Sequence, residues 1–224
     1  MTDQEAAALG REALAEVKPG AVVGLGTGQA ATAFIHALGQ AVKSGLRVTG
    51  VPTSEASAKL ARTLGIPLIA EPTALDVAVD GADEVDPQLD LVKGYGGALV
   101  REKIVAAAAR RFIVLVGPEK LVPALGGRGR LPVEVVPFAA PFCQRRFTEM
   151  GYPPLVRTSG ASPVVTDNGN LILDCAVKAI TDPAALDRTL CEIPGVVGTG
   201  LFVAMAHAVM VWDGGRVRTL TRDR

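Results

Sequence analysis

Residues 75–97 read Leu75-Asp-Val-Ala-Val79, then Asp80-Gly-Ala-Asp-Glu-Val-Asp86, and end on Lys93-Gly-Tyr-Gly-Gly97. The first five residues have the apolar character of a buried strand, so Asp80 follows directly where that strand ends. A helical segment, Ala98 to Arg111, begins after the paired glycines. Ligands of open α/β sheets bind in the crevice between the strand ends and the helices that follow them. The sequence therefore predicts that Asp80, Asp83, Lys93 and Glu102 meet in such a crevice.

An ordinary polar loop is the alternative reading of this stretch. Asp-Gly and Gly-Gly pairs are common in turns, and Glu102 could be an exposed helical carboxylate. Two features favour a functional site. Several acids stand beside a lysine that glycines follow, and Glu102 shares a helical stripe with Ala98, Val105 and Ala109 rather than a solvated face.

The composition indicates a large apolar core and a balanced charge. Hydrophobic residues make up 49% of the 224 residues, and the mean hydropathy is +0.32. Aromatic residues are only 4%, so the core must consist mainly of Val, Leu, Ile and Ala. Lysine plus arginine and aspartate plus glutamate number 23 each, which gives a formal net charge of zero. No charge excess indicates binding to nucleic acid or to a membrane surface.

Secretion, a membrane span and a transition-metal site are not indicated. No apolar run approaches the roughly 20 residues that cross a bilayer, and the first residues lack the pattern of a secretory signal. The three cysteines, Cys143, Cys175 and Cys191, form no CxxC pair, and His36 and His207 are isolated. We interpret all five as packing or surface residues. The expectation is a cytoplasmic protein.

Strand and helix signals alternate through the first 120 residues. Helices are predicted at 4–17, at 30–38 and from a cap at Thr53 or Ser54 to Leu64, where Gly65 ends the helix. Strands are predicted at 21–25, 46–51, 66–70, 75–79 and 112–116. This alternation predicts an α/β fold with a parallel, doubly wound, Rossmann-like sheet.

The pattern changes from residue 131 onward. Strand, helix, two strands, helix and strand follow in the order β-α-β-β-α-β, which suits a small ferredoxin-like α+β domain. Residues 167–170 are predicted to form a hairpin turn, and residues 126–130 a linker. Residues 201–220 are predicted to form a hairpin around Asp213-Gly-Gly215 that returns to the first domain. The predicted domains are therefore 1–130 plus 201–224, and 131–200.

A glycine loop, Gly24-Leu-Gly-Thr-Gly28, separates the first strand from the next helix. Such a loop can present backbone N–H groups to an anion. A dinucleotide fingerprint is excluded, because Gln29 occupies the place of the third glycine and no ribose-binding acid follows the second strand. The loop alone favours two readings equally: a cradle for one phosphate or carboxylate, helped by Thr27 and Thr53-Ser54, and a tight turn without a ligand.

Seven segments together resemble ribose-5-phosphate isomerase of the A type. They are Gly24-Leu-Gly-Thr-Gly28, Asp80-Gly-Ala-Asp-Glu-Val85, Lys93-Gly-Tyr-Gly-Gly-Ala-Leu99, Arg101-Glu-Lys-Ile-Val105, Leu131-Pro-Val-Glu-Val-Val-Pro137, Val165-Thr-Asp-Asn-Gly-Asn170 and Ile193-Pro-Gly-Val-Val197. The segments follow the family's order and cover nearly the whole chain, so their combination is specific although no single one is. The resemblance implies a Rossmann-like domain with a smaller α+β domain.

The resemblance also implies an activity, the interconversion of D-ribose 5-phosphate and D-ribulose 5-phosphate in the pentose phosphate pathway. No cofactor or metal is implied. Glu102 matches the base that moves a proton between C2 and C1, and Lys93 would stabilise the enediolate. Asp80 with Lys93 would open the sugar ring, and Asp83 would orient the sugar hydroxyls and tune the lysine. Homodimers or homotetramers are usual in the family.

The implied substrate contacts fall on short segments around these four residues. They are Gly26, Thr27, Gly28, Gln29, Ala30, Gly81, Ala82, Glu84, Gly94, Tyr95, Gly96, Gly97 and Lys120. Relatives usually carry Ser-Thr in place of Gln29-Ala30, a glycine in place of Tyr95, and Asp-x-Ser before the lysine at position 120. Some have a phosphate-binding lysine where this chain has Ala6-Ala-Ala8. We therefore expect weaker phosphate binding, with a raised KM and a retained kcat.

Other functions fit the sequence less well. A sugar-phosphate deaminase or a CoA transferase of the same superfamily would use a different set of residues from Asp80, Asp83, Lys93 and Glu102. A sugar-phosphate sensor that regulates transcription would need a DNA-binding segment, and no basic segment of that kind is visible. A dehydrogenase is disfavoured by the broken fingerprint.

Overall fold

The computed structural model describes residues 1–222, and in that range it contains six α-helices and fifteen β-strands. The helices are α1 Asp3–Leu14, α2 Gln29–Lys43, α3 Glu55–Thr63, α4 Leu99–Ala108, α5 Ala140–Glu149 and α6 Pro183–Cys191. The strands are β1 Val22–Leu25, β2 Thr49–Pro52, β3 Val77–Gly81, β4 Glu84–Val85, β5 Leu91–Val92, β6 Phe112–Val116, β7 Arg130–Val135, β8 Pro154–Val156, β9 Thr158–Ser159, β10 Ser162–Pro163, β11 Leu171–Ala176, β12 Val196–Thr199, β13 Leu201–Phe202, β14 Ala208–Asp213 and β15 Arg216–Thr221.

The described chain divides into two compact units. The first unit comprises Met1–Ala82, Arg101–Leu121 and the described residues from Ala204 onward, and the second comprises Asp83–Val100 and Val122–Val203. This division groups residues 83–100 with the second unit, because β5 in that segment pairs with β13 and β4 pairs with β5. The division into 1–130 plus 201–224 and 131–200 stays a prediction.

The first unit is built on a six-stranded sheet in the order β15-β14-β6-β3-β1-β2. All neighbouring strands are parallel except β15, which pairs with β14 in an antiparallel hairpin. Because β1 lies between β2 and β3, the chain reverses its direction across the sheet at β1, and the β1/β3 boundary is the switch point. The carboxyl ends of β1, β2, β3 and β6 therefore share one edge.

Branched aliphatic residues form the core of this unit, as the low aromatic content predicts. Val23, Leu25, Val79 and Ile113 are fully buried in the sheet, and Phe34 of α2 packs in the same cluster. Each such side chain contributes about 1.5–3 kcal/mol relative to full exposure. The helices therefore cover the sheet through aliphatic contacts.

The helix ends follow from local capping chemistry. Thr2 and Glu5 form a reciprocal capping box at the start of α1. Ser54 caps α3, and Gly65 follows that helix in the left-handed region at φ +77°. Helix α2 continues five residues beyond the predicted end at Leu38. Within this extension, Gly39 packs closely against Leu64, which follows α3. A Cβ on Gly39 would lie 2.7 Å from Cβ of Leu64, so glycine permits the contact.

The second unit contains a four-stranded antiparallel sheet in the order β12-β7-β11-β8. Numbered within the unit, this is the 4-1-3-2 order of a ferredoxin-like β-α-β-β-α-β module, with α5 and α6 as its helices, so the predicted fold is confirmed. Leu131, Val133, Phe147 and Leu173 are fully buried in its core. A separate three-stranded sheet, β13-β5-β4, carries the segment around Lys93.

One predicted strand is wrong. Residues 66–70 do not form a strand, and only Leu68 makes an isolated bridge, to Gly50. The reason is that Pro67 lacks a backbone N–H donor and residues 69–71 are exposed, so pairing with β2 stops after one bridge. Among the described residues, no helix combines the length and the apolar character needed to cross a membrane.

Candidate active site

The glycine loop starts helix α2 without a side-chain cap. Gly28 has φ +102°, a conformation that favours glycine, and its carbonyl accepts the N–H of Thr32 at 2.8 Å. The side chain of Gln29 is directed to helix α1, where Nε2 donates to Oδ1 of Asp3 at 2.9 Å. Ala30 is buried. The first N–H groups of α2 therefore form the part of this loop that suits an anion.

Four hydroxyl groups are clustered behind the loop. Thr27 Oγ1 lies 2.8 Å from Oγ1 of Thr53 and Oγ of Ser54, and 3.1 Å from Oγ of Ser57. The hydroxyl oxygens of Ser54 and Ser57 are 2.7 Å apart, and Thr53, Ser54 and Ser57 are each at most 5% exposed. Thr53 donates to the carbonyl of Leu25 at 3.1 Å. These contacts fix the loop at the ends of β1 and β2.

Asp80 follows this arrangement at the end of β3. Its Oδ1 accepts the N–H of Thr27 at 3.0 Å and the N–H of Gly81 at 2.7 Å, and the residue is 3% exposed. Gly26 lies against it, since a Cβ on Gly26 would be 2.3 Å from both Cγ and Oδ1 of Asp80. A carboxylate bound by backbone donors has a fixed orientation. Position 26 therefore has to be glycine, because any larger side chain would displace the carboxylate of Asp80.

Glu102 shares a small cavity with Asp80. The cavity is lined by Gly24, Gly26, Thr53, Asp80, Glu102 and Val105, among others. Glu102 is 5% exposed on α4, and the neighbouring Arg101 instead faces Glu55, with NH1 3.1 Å from Oε1. The predicted placement of Glu102 on a buried helix face is confirmed. Two buried carboxylates thus converge in the first unit.

Lys120 and Ala82 complete the first-unit candidates. Lys120 ends a short 3₁₀ helix, Pro118–Lys120, directly after β6, and its N–H donates to the carbonyl of Gly117 at 3.1 Å. Ala82 follows β3 and is partly exposed. Both follow strands whose carboxyl ends lie at the same sheet edge as the glycine loop.

In the second unit, Lys93 and Asp83 are held by one network of backbone bonds. The N–H of Lys93 donates to the carbonyl of Gly200 at 2.8 Å, and the N–H of Asp83 donates to the carbonyl of Val92 at 2.8 Å. Lys93 is 2% exposed, and its Nζ lies 5.6 Å from the ring centroid of the fully buried Phe202. That separation is within the range of a cation–π contact.

Tyr95 interrupts the glycine run but fits a prepared position. Its N–H donates to Oδ2 of Asp83 at 2.9 Å, and its hydroxyl donates to the carbonyl of Arg130 at 3.1 Å. The guanidinium of Arg130 stacks on the ring at 3.8 Å. Burial raises the pKa of the Tyr95 phenol above its usual value. The loop is thus anchored through the side chain that departs from the family pattern.

Arg157 holds the same loop from another direction. Its NH1 donates to the carbonyls of Gly94 at 2.8 Å and Tyr95 at 3.1 Å. The rest of the guanidinium forms a two-pronged pair with Asp174, at 2.9 and 2.5 Å. Gly94 and the later Gly97 have φ of +106° and +90°, which explains why glycine is needed at both. Gly96 between them is exposed.

Glu84 has a structural explanation. The residue is fully buried, and its two carboxylate oxygens accept the N–H groups of Gly126 at 2.6 Å and Arg128 at 2.7 Å. It therefore anchors the loop of residues 126–128. No group of three His, Cys, Asp or Glu side chains in the described part of the chain is arranged to hold a metal ion.

Three residues that support the candidates were missed at the sequence level: Ser57, Arg157 and Phe202. Ser57 had a weak signal, since it stands three residues after the helix cap Ser54. Arg157 and Phe202 gave no signal, because each reaches the Lys93 loop from a segment distant in sequence.

Comparisons with known proteins agree on one family. Residues 49–215 match the family model described as ribose 5-phosphate isomerase A (phosphoriboisomerase A). The ribose-5-phosphate isomerase A of Roseiflexus sp. (strain RS-1) is 52% identical over 204 residues, covering 89% of this chain and 88% of that protein. The protein of that name from Thermomicrobium roseum is 48% identical over 219 residues, covering 96% and 92%.

Solved structures of the same family superpose on nearly the whole chain. Ribose 5-phosphate isomerase A from Methanocaldococcus jannaschii has a TM-score of 0.94 at 39% identity, covering 99% of this chain and 100% of that one. A D-ribose-5-phosphate isomerase in complex with phospho-erythronic acid has a TM-score of 0.95 at 39% identity, with the same coverage.

Proposed function

The chain belongs to the ribose 5-phosphate isomerase A family, and we propose that Glu102, Lys93, Asp80 and Asp83 carry its reaction. That reaction is the interconversion of D-ribose 5-phosphate and D-ribulose 5-phosphate. The observation that carries the assignment is the pair of buried carboxylates, Asp80 and Glu102, which line the same small internal gap at the switch point of the parallel sheet.

Proton transfer is assigned to Glu102. Isomerisation of the open-chain aldose requires that a base remove the proton at C2 and that the proton return at C1. A single carboxylate can do both, because the intermediate is an enediolate whose two carbons lie side by side. Glu102 is held on a helix and buried, which supports this role, since a general base must be positioned before its proton affinity matters.

Charge stabilisation is assigned to Lys93. The enediolate oxygen becomes negative as the C2 proton leaves, and a preorganised ammonium group would lower the energy of that state. The burial of Lys93 and the backbone bond that anchors its loop support this role. Asp83, which binds the N–H of Tyr95 in that loop, is assigned to orienting the lysine loop and the sugar hydroxyls.

Ring opening is assigned to Asp80, with Lys93 as its partner. The substrate in solution is mostly a furanose, so its C1–O4 bond must break before isomerisation. In that step the proton leaves O1 and a proton is added to O4. The fixed orientation of Asp80 supports an acid–base role. The joint action of Asp80 with Lys93 is supported by the sequence, in which Asp80, Asp83, Lys93 and Glu102 stand within 23 residues, and by the family.

Substrate binding is assigned to the surrounding backbone. We propose that the N–H groups at Gly28, Gln29 and Ala30 bind the phosphate, with Gly26 and Thr27 shaping the loop and Lys120 adding charge. Gly81, Ala82, Glu84, Gly94, Tyr95, Gly96 and Gly97 would shape the sugar site. A raised KM is expected because Gln29 is directed to Asp3 and Ala30 carries no hydroxyl.

Assembly and location are proposals of the same kind. We propose a cytoplasmic homodimer or homotetramer, a state supported by the neutral charge balance and by exposed apolar side chains such as Phe138, which is 97% exposed. Light scattering coupled to size-exclusion chromatography measures the assembly, and a monomer would contradict the proposal.

The assignment of Glu102 is tested by assaying conversion of ribose 5-phosphate in EDTA. We expect turnover without added metal in the unmodified protein and a loss of about 10²–10⁴-fold in Glu102→Gln, the usual contribution of a general base. Glu149→Gln is the matched control, because Glu149 is exposed on α5. Full activity in folded Glu102→Gln would refute the role, and no turnover by the unmodified protein would refute the function.

A further inference from the structure

We propose that Ser57 is a positioning residue for Asp80 and acts through the peptide group between Gly26 and Thr27. The inference rests on the proposed role of Asp80 in ring opening. It concerns a residue on α3 that neither the glycine loop nor the acidic motif contains.

One planar peptide connects Ser57 to Asp80. The Ser57 hydroxyl donates to the carbonyl of Gly26 at 2.8 Å. The N–H of Thr27, which belongs to the same peptide group, donates to Oδ1 of Asp80 at 3.0 Å. Because the peptide is rigid and planar, a bond that fixes its C=O also fixes the direction of its N–H. A donor on the carbonyl also polarises the group and strengthens the bond to the carboxylate.

The bond from Ser57 to the Gly26 carbonyl sets the direction of the other hydrogen bonds in the hydroxyl cluster. Thr27 donates to Ser54, and Ser54 also accepts the N–H of Ser57 at 3.1 Å. Ser54 and Ser57 are within hydrogen-bond distance, and the proton of Ser57 is used on Gly26, so Ser54 donates to Ser57. Thr53 donates to the carbonyl of Leu25. The donors thus run from Thr27 through Ser54 and Ser57 to the Gly26 carbonyl.

Helix capping does not account for the Ser57 hydroxyl. Ser54 caps α3, because its side chain accepts the N–H of Ser57. The hydroxyl of Ser57 donates outside the helix, to the end of β1, and the residue is 4% exposed. Its removal would leave the carbonyl of Gly26 without this donor while the cap stays in place. The position of Asp80 is therefore the property that depends on it.

The test separates ring opening from proton transfer in the same protein. Ribulose 5-phosphate cannot form a furanose, because its O5 carries the phosphate. Exchange of its C1 proton with D2O, followed by NMR, therefore reports the Glu102 step alone. Conversion of ribose 5-phosphate requires ring opening as well. The ratio of the two rates measures the contribution of Asp80.

For Ser57→Ala we expect conversion of ribose 5-phosphate to fall about tenfold, the range for a slightly misplaced catalytic group, with exchange nearly unchanged. Ser57→Cys keeps the size of the side chain but donates a weaker hydrogen bond, so its ratio of conversion to exchange should fall less. This variant tests the proposal if Ser57→Ala does not fold. Ser57→Thr should keep the ratio, because the hydroxyl is retained. Thr63→Ala is the control, since Thr63 donates to Lys59 on the exposed face of α3.

Asp80→Asn distinguishes the two ways of failing. If its ratio falls and that of Ser57→Ala equals the unmodified ratio, the positioning role of Ser57 is overturned and the role of Asp80 stands. If the ratio of Asp80→Asn is also unchanged, the assignment of ring opening to Asp80 is overturned, and with it the role of Ser57. Equal loss of both rates in Ser57→Ala would assign Ser57 a purely structural role and overturn the proposal.

Discussion

Replacement of Gly26 by alanine should selectively damage the step that Asp80 performs. A Cβ at this position would lie 2.3 Å from Cγ and Oδ1 of Asp80 and 2.7 Å from its Cα, whereas ordinary contact begins at 3.4 Å. To reach ordinary contact the carboxylate would have to move by 1.1 Å, the difference between 3.4 and 2.3 Å. The nearby Cα is backbone, so rotation of the Asp80 side chain cannot relieve the contact fully.

Two magnitudes follow from this displacement. Crowding of a packed site costs about 1–3 kcal/mol of unfolding free energy. The bond from Thr27 N–H to Asp80, now 3.0 Å, would lengthen beyond useful geometry. A shift of about 1 Å in a catalytic group lowers turnover by on the order of 10². We therefore expect conversion of ribose 5-phosphate to fall about 100-fold, while C1 exchange of ribulose 5-phosphate falls much less.

Two glycine variants control for crowding and for loss of glycine. Gly24→Ala places a Cβ 2.6 Å from Cγ1 of Val105 and 2.7 Å from Cβ of Ala78, so it is also crowded, but none of the three atoms nearest to that Cβ belongs to Asp80. Gly127→Ala places its Cβ in ordinary contact, 3.4 Å from the nearest atom. Urea unfolding measures the stability of all three variants. An unchanged ratio of conversion to exchange in folded Gly26→Ala would refute the reasoning, as would the same loss in Gly24→Ala.

Three further predictions concern Tyr95, Cys175 and Gln29. Tyr95→Phe should lower the unfolding free energy by about 1 kcal/mol, with kcat retained, because the contact with Arg130 and the backbone bonds remain; a large loss of kcat would show that the hydroxyl is catalytic. Burial raises the pKa of the Cys175 thiol from 9.0 to about 12. The thiol therefore loses its proton at lower pH in the unfolded chain than in the folded one. The free energy of unfolding should fall as the pH rises from 9 toward 12, by about 1.4 kcal/mol per pH unit. Urea unfolding at about pH 8 and about pH 10 should show a smaller fall in Cys175→Ala than in the unmodified protein, and equal falls would contradict this. Gln29→Ser should lower KM with kcat unchanged, since a hydroxyl replaces the amide directed to Asp3. Gln40→Ser, on the exposed part of α2, is the control. An unchanged KM in Gln29→Ser would contradict the prediction.

Most of the fold was predictable because its signals are local. Apolar runs, glycine punctuation and capping residues predicted the alternating first unit and the β-α-β-β-α-β module. The strand at 66–70 was wrong because an apolar run does not show whether a neighbouring strand offers it partners. Pairing is decided by the sheet, which lies elsewhere in the sequence.

The candidate site was predictable where its residues lie close together in the sequence. Asp80 and Glu102 stand in one stretch with strand and helix signals around them, and the structure places both at one cavity. Ser57 had only its spacing from the helix cap as a signal and Arg157 had none, because they reach the site through bonds spanning 31 and 62–63 residues. Sequence patterns identify groups that perform chemistry better than groups that hold them in place.

The glycine loop shows why substitutions within one motif can affect different kinetic constants. Gly26 and Thr27 are joined to Asp80 and to the hydroxyl cluster, so changes there should alter kcat. Gln29 is exposed, and its side chain is joined to Asp3 on another helix, so a change there should alter phosphate binding alone. The two halves of the loop are separated by Gly28, whose φ of +102° lies in the left-handed region. The departure from the family pattern at Gln29 is therefore compatible with an intact catalytic centre, because the bonds that orient Asp80 end at Thr27.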